Sequence, residues 1–382
     1  MKFKSITLIT LLALFYPFTF LFRVKQNRIT FISLEHDNLS KDFKILHDNL
    51  VAEHQYDIRT LLFKFKPTVL GNLQYGLACI RQLFIIQSSK LVIIDYNNFV
   101  VSKFPHRKKV KVLEIWHATA ALKKFGNCVQ RDYEIKNYDY AIANSEYYKK
   151  IYAKAFNLPE SKVLVTGIPN NDKIFDNHFV KETKNKLLKK YPSLENKKVI
   201  TYAPTFRGRI STYFKEVSID LERLHATLSK DYIIIYKAHP LISDSKYESN
   251  PKVLFIEDEP ISSLFCITDV LITDYSAIAI DWMVFDKPII SYVPDFKSYS
   301  KKPGLTIDYL KEFPGPIAFS EAEVIEALQN PREDLYKQKR VNFYHKMYKY
   351  RDGKSTERVI SMIQDIMSDE TMIESVGEAV EQ

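Results

Sequence analysis

A βαβ pattern between residues 270 and 293 constrains the fold of this chain more than any other stretch. Val270-Leu271-Ile272 is short and apolar, which is typical of a strand buried on both faces of a parallel sheet. An apolar helix is predicted after it, ending near Asp286, and a second buried strand follows at residues 289–293. Parallel strands joined by helices predict an α/β layer architecture.

Runs of the same kind recur along the chain and alternate with helical stretches. They lie at residues 29–33, 91–94, 112–116, 140–143 and 163–165 in the first half, and at 199–202, 233–236 and 253–255 in the second. A Lys-rich segment at residues 181–190 separates the halves. We therefore predict two Rossmann-like α/β domains with a central cleft, at residues 25–192 and 193–364.

The charge of the chain favours an anionic partner. The formal net charge of the 382 residues is +9 at pH 7, although residues 365–382 hold six acidic residues and no Lys or Arg. We predict that this acidic tail is disordered. The basic remainder favours a nucleotide, a phospholipid surface or a nucleic acid as partner. The three cysteines, Cys79, Cys128 and Cys266, lack metal-binding or redox spacing, which argues against a disulfide framework and favours a reducing compartment.

The N-terminus carries an uncharged segment at residues 6–22, with basic residues on both sides. We predict that residues 1–24 form a hydrophobic membrane-association segment, spanning the bilayer or lying on it. A cleaved signal peptide and a buried first helix are the alternatives, and the first of these lacks a small-residue cleavage site. Lys64, Lys66 and the basic cluster at residues 106–111 would add attraction to anionic lipid. A solvated loop is the alternative for that cluster.

Polar turns follow most of the predicted strands, and ligands of α/β sheets bind beyond the carboxyl ends of the strands. Ser276 is predicted to cap the helix after its strand, so that backbone N–H groups point at a phosphate; a purely structural cap is the alternative. No P-loop, Gly-x-Gly-x-x-Gly, His-Glu-x-x-His or Asp-x-Asp pattern occurs. A nucleotide would therefore be held by helix N-termini, hydroxyl groups and basic side chains. We predict no metal site and no cofactor, and a requirement for Mg²⁺ stays open.

Five of these turns and motifs, taken in order, resemble the CDP-glycerol glycerophosphotransferase family of teichoic acid synthesis. They are Trp116-His117-Ala118-Thr119, Tyr202-Ala203-Pro204-Thr205-Phe206-Arg207, His239-Pro240, Thr273-Asp274-Tyr275-Ser276 and Asp352-Gly353-Lys354-Ser355. The resemblance covers about residues 110–360. It implies a GT-B fold whose C-terminal domain binds the donor nucleotide.

The resemblance also implies an activity and a place in the cell. The chain length, the hydrophobic N-terminus and Ala118, where polymerising members usually have Gly, are more similar to the priming enzyme of the family. That enzyme transfers glycerol phosphate from CDP-glycerol to a hydroxyl of an undecaprenyl-linked disaccharide and releases CMP. Its expected location is the cell membrane, with the catalytic domains on the cytoplasmic side.

A division of roles among the motif residues follows from the same resemblance. Donor and phosphate binding fall to Pro204, Thr205, Arg207, Thr273, Asp274, Tyr275, Ser276, Arg351, Asp352, Lys354 and Ser355. On the acceptor side, Trp116 and Thr119 belong to the first of these motifs, and Asn144 and Ser145 are assigned because they follow a predicted strand of the first domain. Asp274 would orient a neighbour or the ribose, with a structural role as the alternative. Two departures leave the donor less defined, because Ala277 stands where the family usually has a second Ser, and Lys237 where it often has Arg.

Two histidines are the predicted catalytic residues. Histidine is the natural base at neutral pH, since its unperturbed pKa is about 6.5. His117 would accept the proton of the acceptor hydroxyl, and His239 would donate to the pyrophosphate as it cleaves. Rival hypotheses are a poly(glycerol or ribitol phosphate) polymerase, a sugar transferase of the same fold, and a non-catalytic binder of anionic lipid or nucleic acid. The last is disfavoured because aromatic and basic residues are spread throughout the chain.

Overall fold

The described part of the computed structural model comprises residues 2–33, 37–39, 41–66, 68–205, 207–209, 212–215, 217–238 and 249–368. The chain divides into two compact units, and neither is continuous in sequence. The first unit contains Met1–Thr119, Phe125–Asp172 and Tyr348–Gln382. The second contains Ala120–Lys124 and Lys173–Met347.

The first unit is built on a six-stranded sheet in which all strands are parallel. Its strands are β1 Lys25–Ser33, β2 Asp57–Leu62, β3 Ser89–Ile94, β4 Lys111–Glu114, β5 Tyr140–Ala143 and β6 Val163–Val165. The order across the sheet is β2-β1-β3-β4-β5-β6. The central strand β3 is buried at all six positions, which explains why its sequence is an unbroken apolar run after Lys90.

Helices cover this sheet. They are α1 Lys2–Phe15, α2 Lys41–Ala52, α3 Val69–Ser88, α4 Phe99–Lys103 and α5 Glu146–Phe156, with 3₁₀ turns at Tyr16–Leu21, Gly126–Cys128, Glu160–Lys162 and Pro169–Asn171. A last helix, Ser355–Ser368, returns to this unit and is called the C-terminal helix below. Its apolar stripe, Val359, Met362, Ile363 and Ile366, joins the same core as Phe31 of β1.

The second unit repeats this architecture with a second parallel sheet. Its strands are β7 Lys198–Tyr202, β10 Tyr232–Tyr236, β11 Val253–Phe255, β12 Val270–Thr273, β13 Ile289–Tyr292 and β14 Ile317–Ala318, in the order β11-β10-β7-β12-β13-β14. A separate antiparallel hairpin pairs β8 Arg207–Arg209 with β9 Thr212–Lys215. The fold class predicted from the sequence, α/β with two parallel sheets, is therefore confirmed.

Nine helices among the described residues surround the second sheet. They are α6 Asp172–Phe175, which begins on the last residue of the first unit, α7 Asn177–Lys190, α8 Leu221–Ala226, α9 Ile261–Leu264, α10 Ile278–Trp282, α11 Phe296–Tyr299, α12 Tyr309–Glu312, α13 Glu321–Gln329 and α14 Glu333–Met347. Shorter turns lie at Pro192–Leu194, Met283–Phe285 and Ser300–Gly304. The segment Ala120–Lys124 joins this unit by pairing with residues 304–306, since Lys124 N donates to Gly304 O (2.9 Å) and Thr306 N to Leu122 O (2.9 Å).

The unit boundaries differ from the predicted domains at residues 25–192 and 193–364. Helix α7 contains the Lys-rich segment that was expected to form a helix and linker before the boundary, and it belongs to the second unit because its Leu187 packs with Val199 and Ile233. Residues 348–364, expected in the C-terminal domain, belong to the first unit because the C-terminal helix completes that core. In the predicted acidic tail, residues 365–368 form the last turn of this helix, and residues 369–382 lie outside the described part.

The N-terminal segment is helical, as α1 and the 3₁₀ turn Tyr16–Leu21, and most of its apolar side chains are exposed. Within residues 6–21, Leu12 and Thr19 are the buried side chains. The alternative of a buried first helix is therefore wrong. Among the described helices, α3 is the one whose length and composition would allow it to cross a membrane, and 33% of it is buried.

Candidate functional site

The carboxyl end of β12 holds a buried carboxylate that organises the second unit. Asp274 follows β12 and is 1% exposed. Its carboxylate accepts hydrogen bonds from Thr205 N (3.0 and 3.1 Å) and from Thr205 Oγ1 (2.6 Å). Strands β7 and β12 are parallel neighbours, so their polar turns lie side by side. Asp274 therefore orients the turn after β7, as one of the sequence hypotheses anticipated.

Arg207 completes this arrangement as the cation between two carboxylates. Its Nη1 donates to Asp274 Oδ2 (2.9 Å), and its Nε donates to Asp295 Oδ2 (2.7 Å). Burial acts to lower the pKa of Arg207, but the carboxylates of Asp295 and Asp274 outweigh it and raise that pKa. The guanidinium is therefore held in its charged form by the two carboxylates.

Aromatic rings hold the Arg207 guanidinium from the side. Tyr275 and Tyr299 stack with ring centroids 3.9 Å apart and planes 6° apart. The guanidinium carbon lies 5.1 Å from the Tyr275 ring centroid and 4.6 Å from that of Tyr299, which is cation–π geometry. Burial raises the pKa of both phenols, so both rings are neutral walls and not bases. Tyr309 donates to the backbone oxygen of Asp274 (2.7 Å) and fixes the turn from below.

The other predicted donor residues of this unit have mainly structural contacts. Thr273 is fully buried and its Oγ1 donates to Ala203 O (2.7 Å); Pro204 is also buried. The position that caps helix α10 is Ala277, which has no side-chain cap, and Ser276 Oγ accepts a long bond from Ile278 N (3.4 Å). The sequence prediction placed the cap one residue early, because Ala277 is short and does not signal a cap.

A lysine that the sequence reasoning missed lies in the same cluster. Lys123 belongs to the segment Ala120–Lys124, which pairs with residues 304–306 and so reaches the second unit. Burial lowers the pKa of Lys123; the Asp274 charge acts in the opposite direction, and the Arg207 charge lowers it further. Asp295 was missed too, although it follows the buried strand β13 and the strand-end rule could have found it. Nothing local in the sequence indicates the roles of Lys123, Tyr299 or Tyr309.

His117 occupies the corresponding position in the first unit, after strand β4. The turn before it is unusual, because Trp116 has φ of +57°, a left-handed conformation that non-glycine residues seldom adopt. The His117 ring stacks on Tyr96, with centroids 4.1 Å and planes 6° apart. Its Nδ1 lies 3.3 Å from Asp95 O. A carbonyl oxygen only accepts, so this bond requires the proton on Nδ1 and assigns the basic lone pair to Nε2.

The residues predicted on the acceptor side are mostly buried. Trp116 packs on Phe125, with ring centroids 4.7 Å apart, and its side chain is part of the hydrophobic core. Thr119 Oγ1 accepts from Asn171 Nδ2 (2.7 Å) and Asn144 O accepts from Lys349 N (3.1 Å). Ser145 stands at the N-cap position of α5 without a side-chain cap bond.

The motif at residues 351–355 belongs to the first unit, whereas Thr205, Arg207 and Asp274 belong to the second. Asp352 pairs with Arg358 and accepts from Lys354 N (3.1 Å). Ser355 N donates to the carboxylate of Asp172 (2.8 Å), which also accepts from Thr356 N (2.7 Å). The start of the C-terminal helix is therefore capped by Asp172. Arg351 and Lys354 are exposed there.

The second predicted catalytic residue, His239, and its neighbour Pro240 lie outside the described residues. Lys237, at the edge of that gap, donates to Glu257 O, and burial lowers its pKa. Among the described residues no group of three or more His, Cys, Asp or Glu side chains could hold a metal ion.

Two parallel α/β units with polar strand ends define a protein of the GT-B-like class, and the solved structures with this architecture agree. A structure of the wall teichoic acid polymerase TagF superposes with a TM-score of 0.72 and 22% identity, over 97% of this chain and 98% of that one. A UDP-N-acetylglucosamine 2-epimerase from Neisseria meningitidis has the same fold at a TM-score of 0.55 and 12% identity, over 88% of this chain and 99% of that one.

The family profile described as CDP-Glycerol:Poly(glycerophosphate) glycerophosphotransferase matches residues 14–365, and the chain belongs to that family. It is 31% identical over 311 residues to the teichoic acid glycerol-phosphate primase of Bacillus subtilis, which covers 76% of this chain and 77% of that protein. It is 29% identical to the teichoic acid poly(ribitol-phosphate) polymerase of Bacillus spizizenii over 89% of this chain, but spans 56% of the length of that polymerase. The chain is thus a member of the teichoic acid glycerol- or ribitol-phosphate transferases. The family resemblance that the motifs indicated is confirmed.

Proposed function

We propose that this protein transfers glycerol phosphate from CDP-glycerol to a hydroxyl of an undecaprenyl-linked disaccharide and releases CMP. The observation that carries the proposal is the His117 turn, where an imidazole is stacked on Tyr96 and hydrogen-bonded at Nδ1, with Nε2 as the basic nitrogen. A base of this kind suits the removal of a proton from an alcohol. The TagF polymerase, at 21% identity, has been soaked with CDPG, which supports a CDP-polyol as the donor class.

In the proposed reaction, the oxygen of the acceptor hydroxyl attacks the phosphorus that carries glycerol, and His117 Nε2 takes the proton of that hydroxyl. The bond from that phosphorus to the bridging oxygen of the CMP portion breaks, and CMP leaves with the electron pair. Arg207, held by Asp274 and Asp295, would bind the donor phosphates, and Lys123 would add a second positive charge. The role assigned to His239, donation to the leaving phosphate, remains a proposal from the sequence.

The test is CMP release by the purified full-length chain with CDP-glycerol and a synthetic lipid-linked disaccharide. His117→Ala is expected to lower kcat by at least about 100-fold, because a positioned base contributes 10²–10⁴-fold. His178→Ala is the matched control, since His178 lies on the exposed surface of α7 and pairs with Glu182. Turnover by His117→Ala at the rate of the control would remove His117 from the mechanism. No CMP release with any CDP-polyol would overturn the proposed activity.

A second candidate donor is CDP-ribitol, favoured by the relatives that are named ribitol-phosphate primase or polymerase. Parallel assays with CDP-glycerol and CDP-ribitol separate the two donors by the rate of CMP release. The mass of the product separates a primase, which adds one unit, from a polymerase, which adds many. We propose the primase because Ala118 stands where polymerising members of the family usually have Gly.

We also propose that the first unit binds the surface of a membrane, on its cytoplasmic side, through an apolar face. This face comprises Ile6, Leu11, Leu14, Phe15, Phe18, Phe20, Leu21, Phe22, Val69, Leu70, Leu73 and Leu77, all exposed. Helix α1 and the 3₁₀ turn both contact α3, so the three segments present one surface. The apolar helical stretch Ile6–Leu21 has at most 17 residues, fewer than the roughly 20 that a transmembrane helix needs. Lying on the bilayer therefore fits better than spanning it.

Basic side chains border the apolar face and match the charge of anionic lipid. Arg107 donates to Phe22 O (2.6 Å) and to Thr19 O (2.8 Å), and its guanidinium carbon lies 4.9 Å from the Phe20 ring centroid. These contacts fasten the basic cluster to the apolar segment. Arg23, Val24, Gln26, Arg107, Lys108 and Lys109 line an open pocket of about 360 Å³ beside it.

Sedimentation with vesicles tests this membrane proposal independently of turnover. We expect the protein to sediment with phosphatidylglycerol vesicles, less so with phosphatidylcholine alone, and less at high salt. The triple change Leu70→Asn, Leu73→Asn and Leu77→Asn should leave it in the supernatant. Leu335→Asn is the control, because Leu335 is equally exposed (61%) on the second unit. Sedimentation of the triple variant like the control would refute the apolar face as the membrane-binding surface.

A further inference from the structure

A carboxyl group lies fully buried beneath the His117 turn, and no motif assigns it a role. Glu114 is the last residue of β4 and is 0% exposed. Its Oε1 accepts the backbone N–H of Trp116 at 2.8 Å. Within the described part of the chain, Oε2 has no hydrogen-bond partner. A buried carboxyl with a single bond is costly, which suggests that this bond serves more than local packing.

The surroundings of Glu114 favour its uncharged form. Burial raises the pKa of its carboxyl well above the usual range; the N–H of Trp116 lowers it, and the negative charge of Asp95 raises it further. The other titratable groups whose charges act on or respond to Glu114 are the phenols of Tyr133, Tyr138 and Tyr152. None of these groups is a cation, so no counter-charge stabilises a carboxylate. Burial therefore favours the neutral acid, whose carbonyl oxygen accepts the Trp116 amide, over the carboxylate.

The backbone turns at Trp116, the residue whose amide donates to Glu114. Trp116 adopts the left-handed conformation, with φ of +57°, which costs a bulky residue about 1–2 kcal/mol. The ring of the next residue, His117, lies with its centroid 4.0 Å from the Trp116 ring and 4.1 Å from the Tyr96 ring. A turn of this kind persists only when its surroundings hold it. The bond from the Trp116 amide to Glu114 is the described contact that ties the strained residue to β4.

We propose that Glu114 is a positioning residue that acts through the Trp116 amide to hold the His117 imidazole against Tyr96, with Nδ1 on Asp95 O. The proposal rests on the proposed role of His117 as the base. The proposed role requires only one of the two oxygens of Glu114, the one that accepts the Trp116 amide. An amide side chain of the same shape can supply that oxygen without a titratable proton, whereas an apolar side chain of similar size cannot.

The test compares Glu114→Leu with Glu114→Gln in the CMP-release assay. Glu114→Leu is expected to lower kcat about 10- to 100-fold, the loss typical of a misplaced catalytic group, with the KM for CDP-glycerol unchanged. Glu114→Gln is expected to restore most of that loss and to keep the shape of the wild-type pH–rate profile. Tyr152→Phe is the matched control, since it removes another buried oxygen without a described partner from the same unit. It should turn over like the wild type.

Two measurements on the folded protein keep the proposal testable apart from turnover. In ¹⁵N-histidine spectra, His117 should be protonated at Nδ1 in the wild type and in Glu114→Gln, and should lose that signature in Glu114→Leu. The Trp116 amide of the wild type should be protected from hydrogen exchange, which needs no variant to fold. Wild-type kcat in Glu114→Leu, equal losses in both variants, or rapid exchange of the Trp116 amide would overturn the proposal. Absence of CMP release in the wild type would instead refute the proposed activity and leave these two measurements valid.

Discussion

The two units bury a carboxyl group at the same place, beyond or at the carboxyl end of a central strand, and treat it in opposite ways. Asp274 of the second unit has Arg207 and Thr205 as donors, with a contact to Thr205 Oγ1 of 2.6 Å. The carboxyl group of Glu114 in the first unit accepts one backbone N–H. The charge that acts on this carboxyl group is the negative charge of Asp95. The buried carboxylate of the second unit is thus stabilised by an ion pair with Arg207, whereas the buried carboxyl group of the first unit has a single hydrogen bond from the Trp116 amide.

The largest expected effect comes from removing the ion-paired carboxylate. Asp274→Ala should lower the free energy of unfolding of the second unit by about 3–5 kcal/mol, because it leaves the buried Arg207 charge and the Thr205 donors without this acceptor. The two buried thiols report the units separately: burial raises the pKa of Cys79, in the first unit, to about 12 and that of Cys266, in the second, to about 11. Under mild denaturant, thiol labelling of Cys266 should accelerate while that of Cys79 does not.

Asp308→Ala is the control for that experiment, since Asp308 pairs with Lys311 on the exposed surface of the same unit. Its effect should stay below about 1 kcal/mol. Equal acceleration of Cys79 and Cys266 labelling in Asp274→Ala would contradict the view that the ion pair stabilises one unit alone.

The next effect in size concerns the geometry of the cation. Arg207→Lys keeps the charge but loses the forked contact to Asp274 and Asp295 and the contact of the planar guanidinium with the rings of Tyr275 and Tyr299. We expect a loss of about 1.5–3 kcal/mol in the free energy of unfolding, the usual range for hydrogen bonds to charged groups. Urea denaturation followed by Cys266 labelling measures it. Stability equal to the wild type would mean that the charge matters and its shape does not.

A smaller effect, dependent on pH, is expected in the first unit. Because the pKa of Glu114 is raised by burial, the folded state keeps a proton that the unfolded state releases above pH of about 4.3. Wild-type stability should therefore fall as pH rises from that value toward the folded-state pKa. Glu114→Gln lacks this loss, so its advantage over the wild type should grow with pH, starting from a difference within about 1.5 kcal/mol at pH 4. A constant difference from pH 4 to 8 would show that Glu114 is ionised in the folded protein.

The smallest effect is expected at Ser276. Its Oγ accepts from Ile278 N at 3.4 Å, which is long for a hydrogen bond. Ser276→Ala should therefore cost less than about 0.5 kcal/mol, at the low end for a capping residue. Thermal unfolding monitored by circular dichroism is sufficient to measure it. A loss above about 1 kcal/mol would restore Ser276 as the cap that the sequence predicted.

The sequence predicted the central strands well because burial on both faces leaves an unbroken apolar signature. It missed β2, an edge strand whose Asp57 and Arg59 interrupt that signature. Ligands of α/β sheets bind beyond the carboxyl ends of the strands. This rule led to Thr205, Arg207, Asp274 and His117, because each of them follows a strand with the apolar signature. Lys123 and Tyr299 could not be found in this way, because neither follows a predicted strand. Lys123 comes to the site through the pairing with Leu305, more than a hundred residues further along the chain, and Tyr299 through its stacking on Tyr275.

A motif match does not tell which contacts the residues of the motif make in the fold. Ser355 and Asp352 match a family motif, yet their described partners are Asp172 and Arg358 in the first unit. Glu114 lay unnoticed inside a predicted strand, since a single acid in an apolar run has no periodic signal. Its lone hydrogen bond and its complete burial became visible only in three dimensions.

The discontinuous chain path has a consequence for synthesis on the ribosome. The second unit is complete once Met347 has emerged, whereas the core of the first unit still lacks Val359, Met362, Ile363 and Ile366 of the C-terminal helix. Domains generally fold as units during translation. The half of the protein that starts first is therefore the half that is finished last, and a ribosome that pauses when Met347 has just emerged would carry one complete unit and one unit without its C-terminal helix.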